Sequence, residues 1–312
     1  MYKTLSLTLA ALIFVLAFSF QGIRGIWQPD EGYYTSAALS MDLYRDYLVP
    51  RLGEEIFLDK PPLLYWGILS GIKLFGYSEF SARFFLGICY ALTCFLVFDL
   101  GRSLYGRRRD GLWSAAIYAT MMIPFSAANF ITMDTPLTLF TTLSMAAFWR
   151  SVQPKTRSRI FWKMVLCAAA GLGFLTKGPA ALIPCGAMFV YLLIQKKAVS
   201  YFFTPWMPVG ILLFAVFGLS WYLYISFLLP NAADYFFASQ IWGRLVSDQY
   251  QRNPGLSGAL LYLPVLLLGT LPWSVAWFRQ KNGIQQFFTA SAWKRLLAEP
   301  SSLLIACWIC KI

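Results

Sequence analysis

Five short stretches of this chain hold side chains suited to chemistry: Asp30 and Glu31 in "QPDEGYY", Asp59 and Lys60 in "FLDKPPLLYW", Asp134 in "TMDTPLTLF", Lys177 in "GFLTKGPAALIP" and Arg244 in "SQIWGRLV". Histidine is absent, which removes imidazole bases, His-containing triads and His metal sites. Carboxylate and cation chemistry remains. Carboxylates beside fixed cations at a membrane surface suit a reaction on a lipid-linked phosphate. The cations bind the phosphate, and a carboxylate acts as general base towards an acceptor.

Each stretch also has a plainer reading. Asp30 and Glu31 would serve as a helix N-terminus, where carboxylates are favoured. Pro61 and Pro62 force an extended backbone and hold Lys60 beside Asp59. A lysine fixed in that way suits a phosphate, whereas a lysine at a lipid–water boundary usually snorkels. Asp134 stands before Pro136 at the end of a span, and Lys177 sits between two apolar helices beside Gly178 and Pro179. A charge so placed is expensive and points to function; a polar hairpin tip with a snorkelling lysine is the alternative. Arg244, close to Trp242, is suited to hold a phosphate bidentately. The catalytic candidates are therefore Asp30, Glu31 and Asp134, and the donor-phosphate candidates are Lys60, Arg244 and Lys177. Asp59, Tyr33 and Tyr65 are the candidates for lining a substrate cavity.

The elements that must position these residues are membrane helices. The 312 residues are 58% hydrophobic and 13% charged, about half the charge content of a soluble domain. Residues 5–20 read as an uncleaved first helix. Further spans are expected near 80–101, 111–130, 136–150, 163–176, 179–195, 204–228 and 257–278, with an incomplete one from about 301. The fold class is an all-α polytopic membrane protein, a single module over 1–312 of about eight spans and part of a ninth. If Lys3 is cytoplasmic, the inner segments hold sixteen Lys and Arg against one acid, while the outer side holds eleven acids and eight basic residues. That asymmetry sets the orientation, and the net charge of +12 comes from basic loops rather than from a nucleic-acid surface. The outer side then carries two long loops, 21–79 and 229–257, and every candidate residue maps to it. In the first loop "TSAALSMDLYRDYL" reads as an amphipathic helix with Ala38, Leu39, Met41 and Leu43 on its apolar side. "PPLLYWGILSGIKLFG" reads as interfacial, with Tyr65 and Trp66 at headgroup depth. The six cysteines, "CWIC" at the end included, read as small apolar packing residues.

"PDEGYY", "LVPRLGEEIFLDKPPLLYW", "LFGYSEFSARF", "TMDTPLTLF" and "GFLTKGPAALIP" together resemble the GT-C family of polyprenyl-phosphate-sugar-dependent glycosyltransferases, over about residues 20 to 280. Within it they are most similar to the bacterial lipid A 4-amino-4-deoxy-L-arabinose transferase branch, related to protein O-mannosyltransferases. The resemblance implies a polytopic enzyme of the bacterial inner membrane with a GT-C-like helix bundle and large periplasmic loops. It would take a sugar from undecaprenyl phosphate on the periplasmic side and pass it to lipid A or to another acceptor, a protein or glycan. By motif match Asp30 falls on the family's catalytic loop carboxylate, Lys60 and Arg244 on donor-phosphate contacts, and Asp134 and Lys177 on further polar positions of the cavity. The branch often has Glu before Lys-Pro-Pro and a His in the second large loop, implicated together in metal binding. Here Asp59 stands in place of the Glu and no His exists, so no metal site is expected, and a divalent cation could be held only through Asp59. Tyr33 stands where the branch often has Arg. Family chains are considerably longer, and this one stops inside a ninth span, as a truncated chain would.

The rival to a transferase is a non-catalytic protein, either a truncated remnant or a transporter or flippase of polyprenyl-linked sugars. A transporter places ionisable residues at mid-membrane in broken helices of repeated halves. This chain has no convincing internal repeat, and most of its acids lie at the outer surface.

Overall fold

The computed structural model describes residues 2–154, 156–236 and 256–275. Helices form where the apolar runs are. α1 (Tyr2–Phe18) precedes the first loop, and α4 (Glu79–Tyr105) follows it. The ends of α4 are set by local chemistry. The Ser78 hydroxyl accepts from the Ser81 N–H at its start, and Gly106 takes the left-handed φ of 75° at its end. α5 (Arg108–Thr120) and α6 (Met122–Ala128) follow one another across a bend of 62°. The bend is held from outside, because the Met122 N–H donates to the Leu271 carbonyl (3.2 Å) and the Trp273 indole donates to the Thr120 hydroxyl (2.8 Å).

α7 (Asp134–Val152) and α8 (Arg159–Lys177) follow, then a 3₁₀ turn, Gly178–Leu182, and α9 (Ile183–Ile194). The chain reverses at that turn. Phe148 near the end of α7 packs on Tyr191 near the end of α9 at 5.7 Å. It also packs on Tyr201 of α10 (Ala198–Phe202) at 5.8 Å, and Tyr201 lies over Lys163 at the start of α8. Asp134, at the start of α7, and Lys177, at the end of α8, are therefore at one end of the bundle, with Lys163, Tyr191 and Tyr201 at the other. α11 (Met207–Phe214) continues through a π-turn, 215–219, into α12 (Ser220–Leu228). This run seats against α8 at two glycines; a Cβ on Gly171 would lie 3.0 Å from the Phe214 carbonyl oxygen and 3.1 Å from the Gly218 nitrogen. Small residues at such contacts let helices approach where lipid supplies no hydrophobic drive. Among the described residues, Glu79–Tyr105, the run Arg159–Ile194 that contains the reversal, and Met207–Leu228 are long and apolar enough to cross a membrane, with the bent α5–α6 pair a fourth if it is counted as one span.

The loop 21–79 folds into a layer of its own. α2 (Asp30–Leu43) and α3 (Leu63–Phe75) are joined across a two-stranded hairpin, β1 (Arg51–Leu52) and β2 (Glu55–Ile56). Ala37, Ala38, Met41, Leu64, Tyr65 and Ile68 form a core with Leu86 of α4 and with Ile131. Two expectations change here. Leu43 is exposed rather than on the apolar side of α2. Tyr65, expected at the lipid interface, is instead fully buried within the protein, because α3 packs against both α2 and α4. Trp66 is half-buried, and its indole donates to the Tyr47 carbonyl at 2.7 Å. Of the second large loop, 229–236 and 256–257 are described, and the segment near 301 lies outside the described residues.

Candidate active site

Asp30 and Glu31 are the first two residues of α2. Successive helical positions are turned by about 100°, so two adjacent carboxylates cannot share a surroundings. Glu31 turns inward and is fully buried, while Asp30 stays half-buried at the helix start.

Glu31 is saturated. Its Oε1 accepts from Arg24 Nη2 (3.0 Å), Arg83 Nε (3.0 Å) and the Ile131 N–H (2.8 Å). Its Oε2 accepts from Arg24 Nη1 (2.6 Å), Arg83 Nη2 (3.1 Å) and the Trp27 N–H (2.9 Å). Burial alone would raise the carboxyl pKa. The two guanidiniums and two backbone donors outweigh it and hold the group at about 2. Arg83, in the second turn of α4, is itself fully buried. Its remaining donors go to the carbonyls of Gln21 (2.8 Å), Arg24 (2.9 Å) and Gly25 (2.9 Å), so all five of its N–H groups are used. Arg24 also donates to the Asn129 carbonyl at 2.7 Å and lies over the rings of Trp27 and Phe130. One buried cluster thus joins the segment 21–27, the start of α2, α4 and the turn 129–131, and so fixes Asp30 relative to Asp134.

The Asp30 carboxylate, by contrast, makes no hydrogen bond or ion pair among the described residues. Asp134, the first residue of α7, is met by Lys177 Nζ at 2.6 Å, the last residue of α8 before Gly178 with its φ of 63°. Both members of that pair keep solvent access, 56% for Asp134 and 34% for Lys177, so the pair is weak enough to open for a ligand. Asp134 also lines a mostly apolar cavity of 1040 Å³ with Arg24, Asn129, Phe125 and Leu137. Lys60 is paired with the Asp59 carboxylate directly before the buried Pro61 and Pro62.

The structure therefore joins Glu31 to the turn before Asp134, Asp134 to Lys177, and Lys60 to Asp59. Arg244 lies outside the described residues. Tyr33 points away, half-exposed, while its neighbour Tyr34 packs on Tyr65 at 6.3 Å. The Tyr65 hydroxyl is buried with no hydrogen-bond partner, as is Thr135 Oγ1 next to Asp134. Such orphaned groups ask for an explanation, and a polar ligand in the site would be one. The residues do not fit a divalent cation held through Asp59. Lys60 occupies that carboxylate, and no three His, Cys, Asp or Glu gather within reach of a metal among the described residues. Sequence reasoning missed Arg24, Arg83 and Tyr34. Arg83, a charge inside the apolar run "ARFFLGICY", carried the same signal that singled out Lys177.

Comparison with known proteins gives the family and the fold. Residues 59–225 match the profile of the dolichyl-phosphate-mannose-protein mannosyltransferase family. The chain is 30% identical over 306 residues to the undecaprenyl phosphate-alpha-4-amino-4-deoxy-L-arabinose arabinosyl transferase 2 of Proteus mirabilis, covering 96% of this chain and 52% of that protein. It is 32% identical over 252 residues to the corresponding transferase of Edwardsiella ictaluri, covering 80% of this chain and 45% of that one. The chain spans about half the length of the curated relatives it matches. In fold it is similar to the crystal structure of ArnT from Cupriavidus metallidurans bound to undecaprenyl phosphate, with a TM-score of 0.80 at 22% identity over 99% of this chain and 54% of that one. The all-α polytopic membrane architecture follows from that match and from the apolar helices.

Proposed function

We propose that this chain, which belongs to the dolichyl-phosphate-mannose-protein mannosyltransferase family, is the membrane module of a glycosyltransferase that moves a sugar from an undecaprenyl-phosphate-linked donor to lipid A or another acceptor at the periplasmic face of the bacterial inner membrane. The observation that carries this reading is the unequal fate of the two adjacent acids. Glu31 is locked into the buried arginine cluster, and Asp30 is held at the site with its carboxylate unengaged among the described residues. The names of the relatives, arabinosyl transferases acting from undecaprenyl phosphate, support the donor class.

In this reading Asp30 takes the proton from the acceptor hydroxyl, whose oxygen forms the new bond to the anomeric carbon. The bond from that carbon to the phosphate oxygen breaks, and the lipid phosphate leaves with the pair of electrons. Lys60, Lys177 and Arg244 meet the phosphate charge, which is where such a reaction needs cations. Glu31 is given a positioning role, since a carboxyl held near pKa 2 with every lone pair engaged is a poor base. Asp134 holds Lys177 in place until the phosphate arrives. Asp59, whose side chain stays 36% exposed beside Lys60, is the side chain left to meet the sugar, since Tyr65 is fully buried with Tyr34 packed on it. Sugar transfer by Asp30→Asn is the test.

Two further outcomes are expected. Losing one charge-assisted phosphate contact weakens binding by about 1.5–3 kcal/mol, so Lys60→Ala and Arg244→Ala should each bind polyprenyl phosphate roughly ten- to a hundredfold more weakly, with the protein still in the membrane. Undiminished binding in both variants removes the phosphate role. For orientation, a cysteine placed at Ser36 in α2 should react with an impermeant maleimide added from the periplasm, and one at Ser158 before α8 should not. Labelling of Ser158 from outside would reverse the assignment of faces.

A further inference from the structure

At the far end of α8 from Lys177 lies a second cation. Lys163 is 9% exposed. Its Nζ donates to the Tyr201 carbonyl at 3.3 Å and sits 4.1 Å from the Tyr201 ring centroid and 4.7 Å from that of Trp206. No carboxylate pairs with it among the described residues, and Asp99, an acid of this end, is taken by Arg150 and Arg102. Aromatic faces compensate a buried ammonium only in part. Among the described residues, no acid pairs with this lysine to cancel its charge.

The same corner carries an apolar groove. The Tyr201 carbonyl also accepts from the Trp206 indole at 3.0 Å and from the Thr204 hydroxyl at 3.3 Å. Thr204 lines a groove of 780 Å³ with Phe203, Pro205, Pro208 and Ile211, so the buried ammonium is one shared carbonyl away from the groove wall. Phe203 is 84% exposed. Lys196 and Lys197, which turn the chain from α9 into α10, are exposed and make no ion pair among the described residues. Lys197 is tied to the groove's own turn, since its carbonyl accepts from the Tyr201 N–H at 2.9 Å.

We propose that this corner is a docking site for one anionic glycerophospholipid of the leaflet opposite the Asp30 face, with its phosphate on Lys196 and Lys197 and an acyl chain in the groove along Phe203, Pro205, Pro208 and Ile211. Charge complementarity commits the occupant. A zwitterionic lipid offers the same chains without net charge, whereas an anionic one answers three lysines that pair with no acid among the described residues. The inference uses the reading above only to call that leaflet cytoplasmic, and labelling at Ser158 would change the name of the leaflet without moving the site.

The test is exchange of spin-labelled phosphatidylglycerol and phosphatidylcholine into the full-length protein in nanodiscs. The unaltered protein should select phosphatidylglycerol. Lys196→Ala/Lys197→Ala, both at exposed positions, should reduce that selectivity by roughly fivefold for each lysine removed. Ile211→Trp, which fills the groove and leaves the charges, should release the bound lipid as well. Soluble glycerol 3-phosphate should fail to displace it. Equal uptake of the two lipids, full selectivity in the double variant, or displacement by glycerol 3-phosphate would each overturn the proposal. Sugar transfer is expected to persist in these variants, so a failed lipid test leaves the transferase reading standing.

Discussion

Asp30→Asn should reduce sugar transfer by about 10²–10⁴-fold while the protein folds and inserts as before. The magnitude is that of losing a positioned general base. The substitution isolates the proton chemistry. Pro29 stands at the cap of α2 and the Asp30 side chain makes no capping hydrogen bond, so Asn at this position loses no contact at the helix start, and the Glu31 cluster that holds this helix in place is left whole. A loss in turnover with unchanged binding of polyprenyl phosphate is expected, because the cations and not Asp30 are assigned to the phosphate. Single-turnover kinetics on membranes holding the full-length protein separates the two.

Replacing Arg83 by Met should destabilise the fold by about 3–5 kcal/mol, the usual consequence of removing one partner from a buried ion pair. The backbone carbonyls of Gln21 and Arg24 lose their side-chain donor at the same time, that of Gly25 keeps only Arg24 Nη1 at 3.1 Å, and Glu31 keeps Arg24 alone as its cation. Arg83→Lys should fall between, since an ammonium keeps the charge but cannot reproduce the fork. The midpoint of denaturant unfolding in detergent measures both, and an unchanged midpoint for Arg83→Met would show that the cluster does not hold the loop layer to α4. The same cluster gives a pH signature. Glu31 is lowered from 4.5 to about 2, so its contribution, about 3 kcal/mol, is fully present above pH 4.5 and is lost as pH falls from 4.5 towards 2. Glu31→Gln should flatten the acid limb of the stability profile.

The parts of the fold set by local pattern were legible in the sequence. Apolar runs gave the helices, and the charge asymmetry gave an orientation that labelling can check. α2 was legible as amphipathic, though the helix begins at Asp30 rather than at Thr35. The hairpin was not anticipated, although Gly53 at the first position of a two-residue loop is a recognised signal and takes a φ of 63°. What local pattern cannot show is direction. Asp30 and Glu31 look equivalent as neighbours; Arg83 and Ile131, 52 and 100 residues away in sequence, decide which of them turns inward. Tyr33 and Tyr34 pose the same problem, and packing of α2 against α3 at Tyr65 selects Tyr34. The Asp134–Lys177 contact joins the two ends of a helical hairpin, and its members were each identified singly rather than as a pair.

The central claim is that two adjacent acids have different work, chemistry for Asp30 and architecture for Glu31. It is tested most directly by the rate of sugar transfer from an undecaprenyl-phosphate-linked donor, expressed per folded molecule, for Asp30→Asn beside Glu31→Gln. A rate at least a hundredfold down for Asp30→Asn is expected, with Glu31→Gln losing folded protein but retaining the larger share of its rate per folded molecule. Near-normal transfer by Asp30→Asn would contradict the account and leave "PDEGYY" as no more than the start of a helix.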